Sequence, residues 1–159
     1  MEQEIHWYAI KTRWNRTGQV CDMLDRKGVD YYTQKIFPSF LFVHTSELMV
    51  GQIRHEEYAN GFQRLYFYTD KEHNPIIVPD REIEVFRIVT SAAQAGLEIL
   101  DDSPERYQTG DKVRVIDGPF KGAEGYIKRI KKDRRLVVTI SGVVAVATSY
   151  IPPELLEKI

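Results

Sequence analysis

The chain has 159 residues, 43% hydrophobic and 28% charged, which gives room for one domain or two small ones and the composition of a soluble globular protein. It holds neither an apolar run long enough to span a membrane nor a signal peptide, and its one cysteine, Cys21, excludes an intrachain disulfide; a cytoplasmic setting is expected. A net charge of −1 argues against nucleic-acid binding by bulk electrostatics alone, but the charge is unevenly spread. Residues 1–104 carry 11 Lys+Arg against 16 Asp+Glu, residues 105–159 carry 11 against 7, and seven of the later cations fall between Lys121 and Arg135. A solvated basic hairpin and a contact for nucleic acid or an acidic protein are both open readings of that stretch.

In chain order, Ile5 to Lys11 (IHWYAIK) alternates and is aromatic and β-branched, which predicts a strand. A helix is expected from about Asn15, as N-cap, with Val20, Met23, Leu24 and the stem of Lys27 on one face and Gly28 just past its end. A short strand over Val29 to Thr33 precedes Phe40 to Thr45 (FLFVHT), a continuous apolar run that suits a central strand. Ser46 caps a second predicted helix to about His55, followed by a strand over Phe62 to Tyr68, a polar turn, and a short apolar return at Ile76 to Val78. Asp80 caps a third helix carrying Ile83, Phe86 and Val89. This order of elements predicts an α+β layer, an antiparallel sheet with flanking helices.

Periodicity is lost over residues 94–109, and Asp101-Asp102-Ser103-Pro104-Glu105 is acidic and broken by proline. Residues 96–107 therefore read as an acidic linker between a first domain, 1–95, and a second, 108–159. The second opens with GDKVRVIDGPFKGAEGYIKRI, residues 110–130, a strand, a turn at Asp117-Gly118-Pro119 and a second strand. Gly122 and Gly125 would weaken a strand interior, so a bulge or tight bend is expected there, of the kind that closes a small barrel. Leu136 to Ile140 and Val143 to Thr148 add two more strands across Ser141-Gly142.

The 110–130 stretch resembles the KOW motif of transcription elongation factors and some ribosomal proteins, on Gly118, Pro119, Phe120, Gly122 and Gly125. The first half resembles the N-terminal (NGN) domain of NusG-like factors. Trp7-Tyr8-Ala9-Ile10-Lys11-Thr12 is similar to its first strand, Phe37-Pro38-Ser39-Phe40-Leu41-Phe42-Val43 to its Phe-Pro-Gly-Tyr strand, and Ile77-Val78-Pro79 to its third landmark. The Pro-Ile-Ile-Val-Pro run and Val143 to Pro153 are closest to the UpxY group, antiterminators of capsular polysaccharide operons. The resemblance implies an NGN domain followed by a small KOW β-barrel, acting as a monomeric transcription elongation and antitermination factor. The alternatives are a general NusG-type elongation and termination factor and, in a different class, a KOW-type RNA- or ribosome-binding module.

For individual residues, the resemblance implies that Trp7, Tyr8, Phe37 and Phe40 form an apolar depression for the clamp helices of RNA polymerase's largest subunit. Tyr8, Phe37 and Phe40 are the favoured contacts, because Trp7 and Tyr8 must face opposite ways on a strand. The same aromatics would serve equally as core. Lys11, Arg13 and Arg16, with Trp14 to stack on a base, match the edge that meets non-template DNA or a leader sequence in sequence-specific paralogues; plain surface charge is the other reading. Two departures stand out. The Tyr32–Phe37 connection is short where the family carries a longer hairpin, and Ser141 replaces a Phe that contacts Rho and a small-subunit ribosomal protein, which puts both partners in doubt. His6, His44, His55 and His73 have no metal-ligand spacing, the Gly118–Gly122 turn lacks the Gly-Lys-Ser/Thr of a phosphate loop, and there is no GxSxG, so neither catalysis, metal nor cofactor is expected.

Overall fold

Strand β1 (Ile5–Thr12) sits in the middle of the first of two antiparallel sheets. It pairs with β3 (Phe40–Ser46) from Ile5↔Ser46 to Lys11↔Phe40. The short β2 (Asp30–Tyr32) lies outside β3, while β4 (Leu65–Phe67) and β5 (Ile77–Val78) share the other edge of β1. The computed structural model describes residues 4–13, 15–91, 96–100 and 103–159.

One face of this sheet is covered by α1 (Thr17–Lys27) and α2 (Glu47–Ala59). Tyr8, Ile10, Leu41 and Val43 from the strands pack there with Val20, Met23 and Leu24 of α1 and Val50 and Ile53 of α2. The apolar spacing read in the sequence thus sets the buried face of α1, and Gly28 ends the helix with φ at 68°, its N–H donating to Asp25 and Leu24 carbonyls. The expected Asn15 cap does not form. Arg16 occupies the N-cap position without a side-chain cap, and Asn15 takes φ of 50° as the chain turns out of β1. Ser46 does cap α2, its Oγ accepting from the Met49 N–H at 3.2 Å. That helix runs past His55 to Ala59, because nothing in Glu56-Glu57-Tyr58-Ala59 stops it before Asn60-Gly61. The strand expected over Phe62 to Tyr68 is cut to three residues by Gln63, which sits at φ of 50°.

The chain divides into two units, residues 1–80 and 81–159. The helix α3 (Asp80–Ser91), expected to complete the first domain, has all but its first residue in the second unit. The stretch expected as linker holds a strand, β6 (Glu98–Leu100), and a 3-10 turn at Pro104–Tyr107; Asp101 and Asp102 lie outside the described residues. Strands β7 (Lys112–Val115), β8 (Glu124–Ile130), β9 (Asp133–Ile140), β10 (Val144–Tyr150) and β11 (Leu156–Lys158) complete an antiparallel sheet in the order β11-β7-β8-β9-β10-β6. Among the described residues no ladder joins β11 to β6, so the pairing runs as an open path where a closed barrel was expected. The β11 and β6 strands were not read from sequence, being three residues long and without usable alternation.

The KOW-like turn is built as its residues suggest. Asp117 Oδ1 accepts from the Gly118 N–H at 2.8 Å, Phe120 is buried beneath, and Gly122 bends the chain at φ of 92° while donating to the Val115 carbonyl at 2.9 Å. Gly125 has a different reason. A Cβ there would lie 2.3 Å from the Val137 carbonyl oxygen, so β8 and β9 approach closely only because it is absent. The irregularity in register lies elsewhere, in β10 between Ala147 and Tyr150.

Candidate nucleic-acid interface

At the end of β1 the pairing with β4 sets Lys11 opposite Tyr66, and the Arg13 N–H donates to the Arg64 carbonyl at 2.9 Å. The chain leaving β1 and the chain entering β4 are thereby held side by side. Asn15 and Gln63, both with φ of 50°, turn these two segments around a shallow depression of about 730 Å³ lined by Arg13, Asn15, Arg16, Gln19, Phe62 and Gln63. A smaller neighbouring hollow of about 230 Å³ includes Arg54, Tyr58 and Tyr66.

Cations and rings alternate along this edge. The Arg64 guanidinium lies 4.5 Å from the centroid of Phe62, and that of Arg13 lies 5.9 Å from Tyr66. Phe62 is 51% exposed and Tyr66 46% exposed, so each ring keeps a free surface. Arg64 is held from behind by the buried Glu57, whose carboxylate accepts its Nε at 3.0 Å and its backbone N–H at 3.1 Å. Among the described residues Lys11, Arg13, Arg16 and Arg54 have no carboxylate partner; Arg16 donates only to the Gln19 amide oxygen at 3.2 Å. Unpaired cations beside exposed rings match the needs of a single strand, phosphate along its backbone and a π-face on each base.

Of the residues expected at this edge, the structure brings Arg13 and Arg16 to one depression and sets Lys11 opposite Tyr66 beside it, while Trp14 lies outside the described residues. Phe62, Arg64 and Tyr66 were missed. They are far from Arg13 in sequence, and only the β1–β4 pairing makes them neighbours.

The four aromatics expected to form one apolar depression do not lie on one surface. Tyr8 is 2% exposed on the helix-covered face, with its ring edge-on to Phe67 at 6.4 Å. Burial pushes its phenol pKa up, and the nearby Glu47 carboxylate adds to this. Phe37 and Phe40, 8% and 5% exposed, stack at 4.6 Å and meet Phe42 edge-on. As exposed contacts, Tyr8, Phe37 and Phe40 are therefore corrected to buried residues. Alternation puts Trp7 on the face opposite Tyr8, where it is half-buried and stacked on His44 at 4.6 Å.

In the second unit two cations of the basic hairpin, Lys131 and Arg135, have carboxylate partners. Lys131 bonds Glu98 at 2.7 Å, Arg135 lies 3.8 Å from the same carboxylate, and Lys128 donates to Thr109. The bond from Lys131 holds the Glu98 carboxyl below its ordinary value. Arg129, Lys132 and Arg134 remain exposed. Among the described residues no three His, Cys, Asp or Glu side chains cluster as a metal site, and burial pushes the Cys21 thiol pKa up, which keeps it protonated. No described helix is long and apolar enough to cross a membrane.

A family model for the KOW motif matches residues 109–141, the stretch that carries β7, β8 and β9 with Gly118, Pro119, Phe120, Gly122 and Gly125.

Proposed function

We propose that this chain is a non-enzymatic, NusG-like transcription elongation and antitermination factor of the UpxY kind, one that engages RNA polymerase through its first unit and steadies exposed single-stranded nucleic acid. The observation that carries the reading is the Arg13–Phe62–Tyr66 edge, whose unpaired cations and exposed rings sit in a chain that also bears a KOW motif. A factor bound at once to polymerase and to non-template DNA or a leader favours the processive state of the complex by binding it better than the paused one. The acidic remainder of the first unit suits a local contact over a general electrostatic one.

The exposed Arg129, Lys132 and Arg134 favour a second reading, a KOW-type module that binds RNA or ribosomes. Two measurements separate the two. Fluorescence anisotropy of the full chain with a labelled single strand and the matching duplex should show tighter binding of the single strand, weakened by Arg13→Ala and unaffected by Arg134→Ala. Transcription by purified polymerase should show more read-through with the protein than without. Single-strand binding lost only with Arg134→Ala, together with co-sedimentation with ribosomal subunits, would transfer the function to the second unit.

A further inference from the structure

At the opposite end of β1 from the Arg13 edge, the first unit carries an open groove of about 840 Å³ between the start of β1, helix α2 and β5. Its lining is mostly apolar, with the ring of Tyr8, Leu48 and Ile77. Leu48 is 57% exposed and Ile77 50% exposed, so two large aliphatic side chains from different elements are left to water. The rim is acidic. Glu47 has no cation partner among the described residues, and Glu4 bonds only the His6 ring, at 3.1 Å.

Gly51 also borders this groove. A glycine inside a helix is costly relative to alanine, and is usually kept where a neighbour approaches closely. Here a Cβ would meet nothing within 4 Å, so packing within the chain does not require it. Its effect is to leave room beside Leu48 and Gln52.

We infer that this groove is a docking site for a segment of a protein partner that presents an aliphatic side chain flanked by lysine or arginine. The aliphatic side chain would fill the space over Gly51 between Leu48 and Ile77, and the flanking cation would meet Glu47 and Glu4. Charge selects this occupant. The unpaired carboxylate of Glu47 at the rim repels an acidic peptide and a nucleic-acid phosphate alike and attracts a basic segment. The size of the hollow is that of a site for a few side chains, not of a whole domain face.

The test titrates the ¹⁵N-labelled full chain with two synthetic peptides of one length, a leucine flanked by lysines and a leucine flanked by glutamates. The lysine peptide is expected to shift the amides of Leu48, Gly51, Gln52 and Ile77, with the glutamate peptide about tenfold weaker or more. Gly51→Leu, which fills the space from an exposed helix position, should abolish the shifts while leaving the rest of the spectrum in place and without lowering the melting temperature. Glu47→Gln should weaken binding several-fold. Equal binding of both peptides, no shift with either, or binding that survives Gly51→Leu would overturn the inference. So would the same amides shifting on dilution of the protein alone, which would make the occupant a second copy, or with an oligonucleotide.

Discussion

The backbone N–H of Ser141 donates to Oε1 of Glu82 at 3.0 Å, which ties the tip of the β9–β10 hairpin to the first turn of α3. The next amide, Gly142, donates to Glu105 at 3.0 Å. Two adjacent N–H groups at one tip are thus each capped by a carboxylate from a different element. A hydrogen bond from a neutral donor to an exposed carboxylate contributes about 1 kcal/mol, or roughly fivefold in a local opening equilibrium. Glu82→Ala should therefore speed amide exchange at Ser141 about fivefold and leave Gly142 nearly unchanged. Equal acceleration at both would mean that the tip opens as one unit and that the two caps are not independent.

Close approach at Gly125 sets up a comparison of two glycines. The Val137 carbonyl oxygen leaves no space for a methyl group, so Gly125→Ala must part β8 from β9, an overpacking cost of about 1–3 kcal/mol. Gly18 lies in the first turn of α1 with nothing within 4 Å of an added Cβ, and Gly18→Ala should raise stability by about 0.5–1 kcal/mol. Thermal melts of both variants should move in opposite directions, and a Gly125→Ala melt at the wild-type temperature would contradict the geometry.

Acid should weaken the second unit through Glu124. Its carboxylate accepts from Arg81 Nη2 at 2.8 Å and from Arg114 Nε at 3.1 Å, and these bonds, that from Arg81 first, hold its pKa below the ordinary 4.5. A depressed pKa stabilises the fold above the ordinary value, and that stabilisation is lost as pH falls below 4.5 through the folded value. Denaturant midpoints followed from neutral to about pH 3 should fall less steeply for Glu124→Gln than for wild type. A parallel fall in both would place the acid sensitivity elsewhere.

The proposed nucleic-acid edge should separate into two kinds of contribution. Arg13→Ala should lower the slope of log affinity against log salt by about 0.7, the loss of one phosphate contact to a single strand. Phe62→Ala should leave that slope in place and weaken binding by about 1–3 kcal/mol, as loss of a stacking platform does. Binding isotherms at several salt concentrations distinguish the two, and a Phe62→Ala variant with unchanged affinity would remove the ring from the site.

Legibility differed between the two halves of the chain for physical reasons. The α1 stripe of Val20, Met23 and Leu24, the Ser46 cap and the Asp117-Gly118 turn are local in origin, and each was readable. So was the α+β character with an antiparallel sheet in the first half, whereas the second half forms an open antiparallel path where a barrel was expected. Alternation showed that Trp7 and Tyr8 part company, but it does not say which side of a strand the helices cover; that depends on β3 register and helix placement. The apolar run Phe40 to Val43 carried a warning of its own, since a strand apolar on both sides is buried on both sides. The candidate edge was half-visible, because Arg13 announces its charge whereas Phe62 and Tyr66 become its neighbours only through the β1–β4 pairing. The extent of the second unit was hardest, as Glu98–Leu100 looks like a linker until β10 pairs with it.

Glu57 has a consequence beyond the loop it fixes. Buried at the end of α2, it orients Arg64, and Arg64 in turn lies over the ring of Phe62. Arg64 is thus tethered before any strand arrives, so the entropy of ordering it is in part already spent in folding and is not charged again on binding. Glu57→Gln, which keeps the shape and removes the charge, would slacken Arg64 and show itself as faster dissociation of a single strand whose contacts are all still present. On the proposed reading, the residence time of a strand on this edge is set in part by a carboxylate the strand never touches.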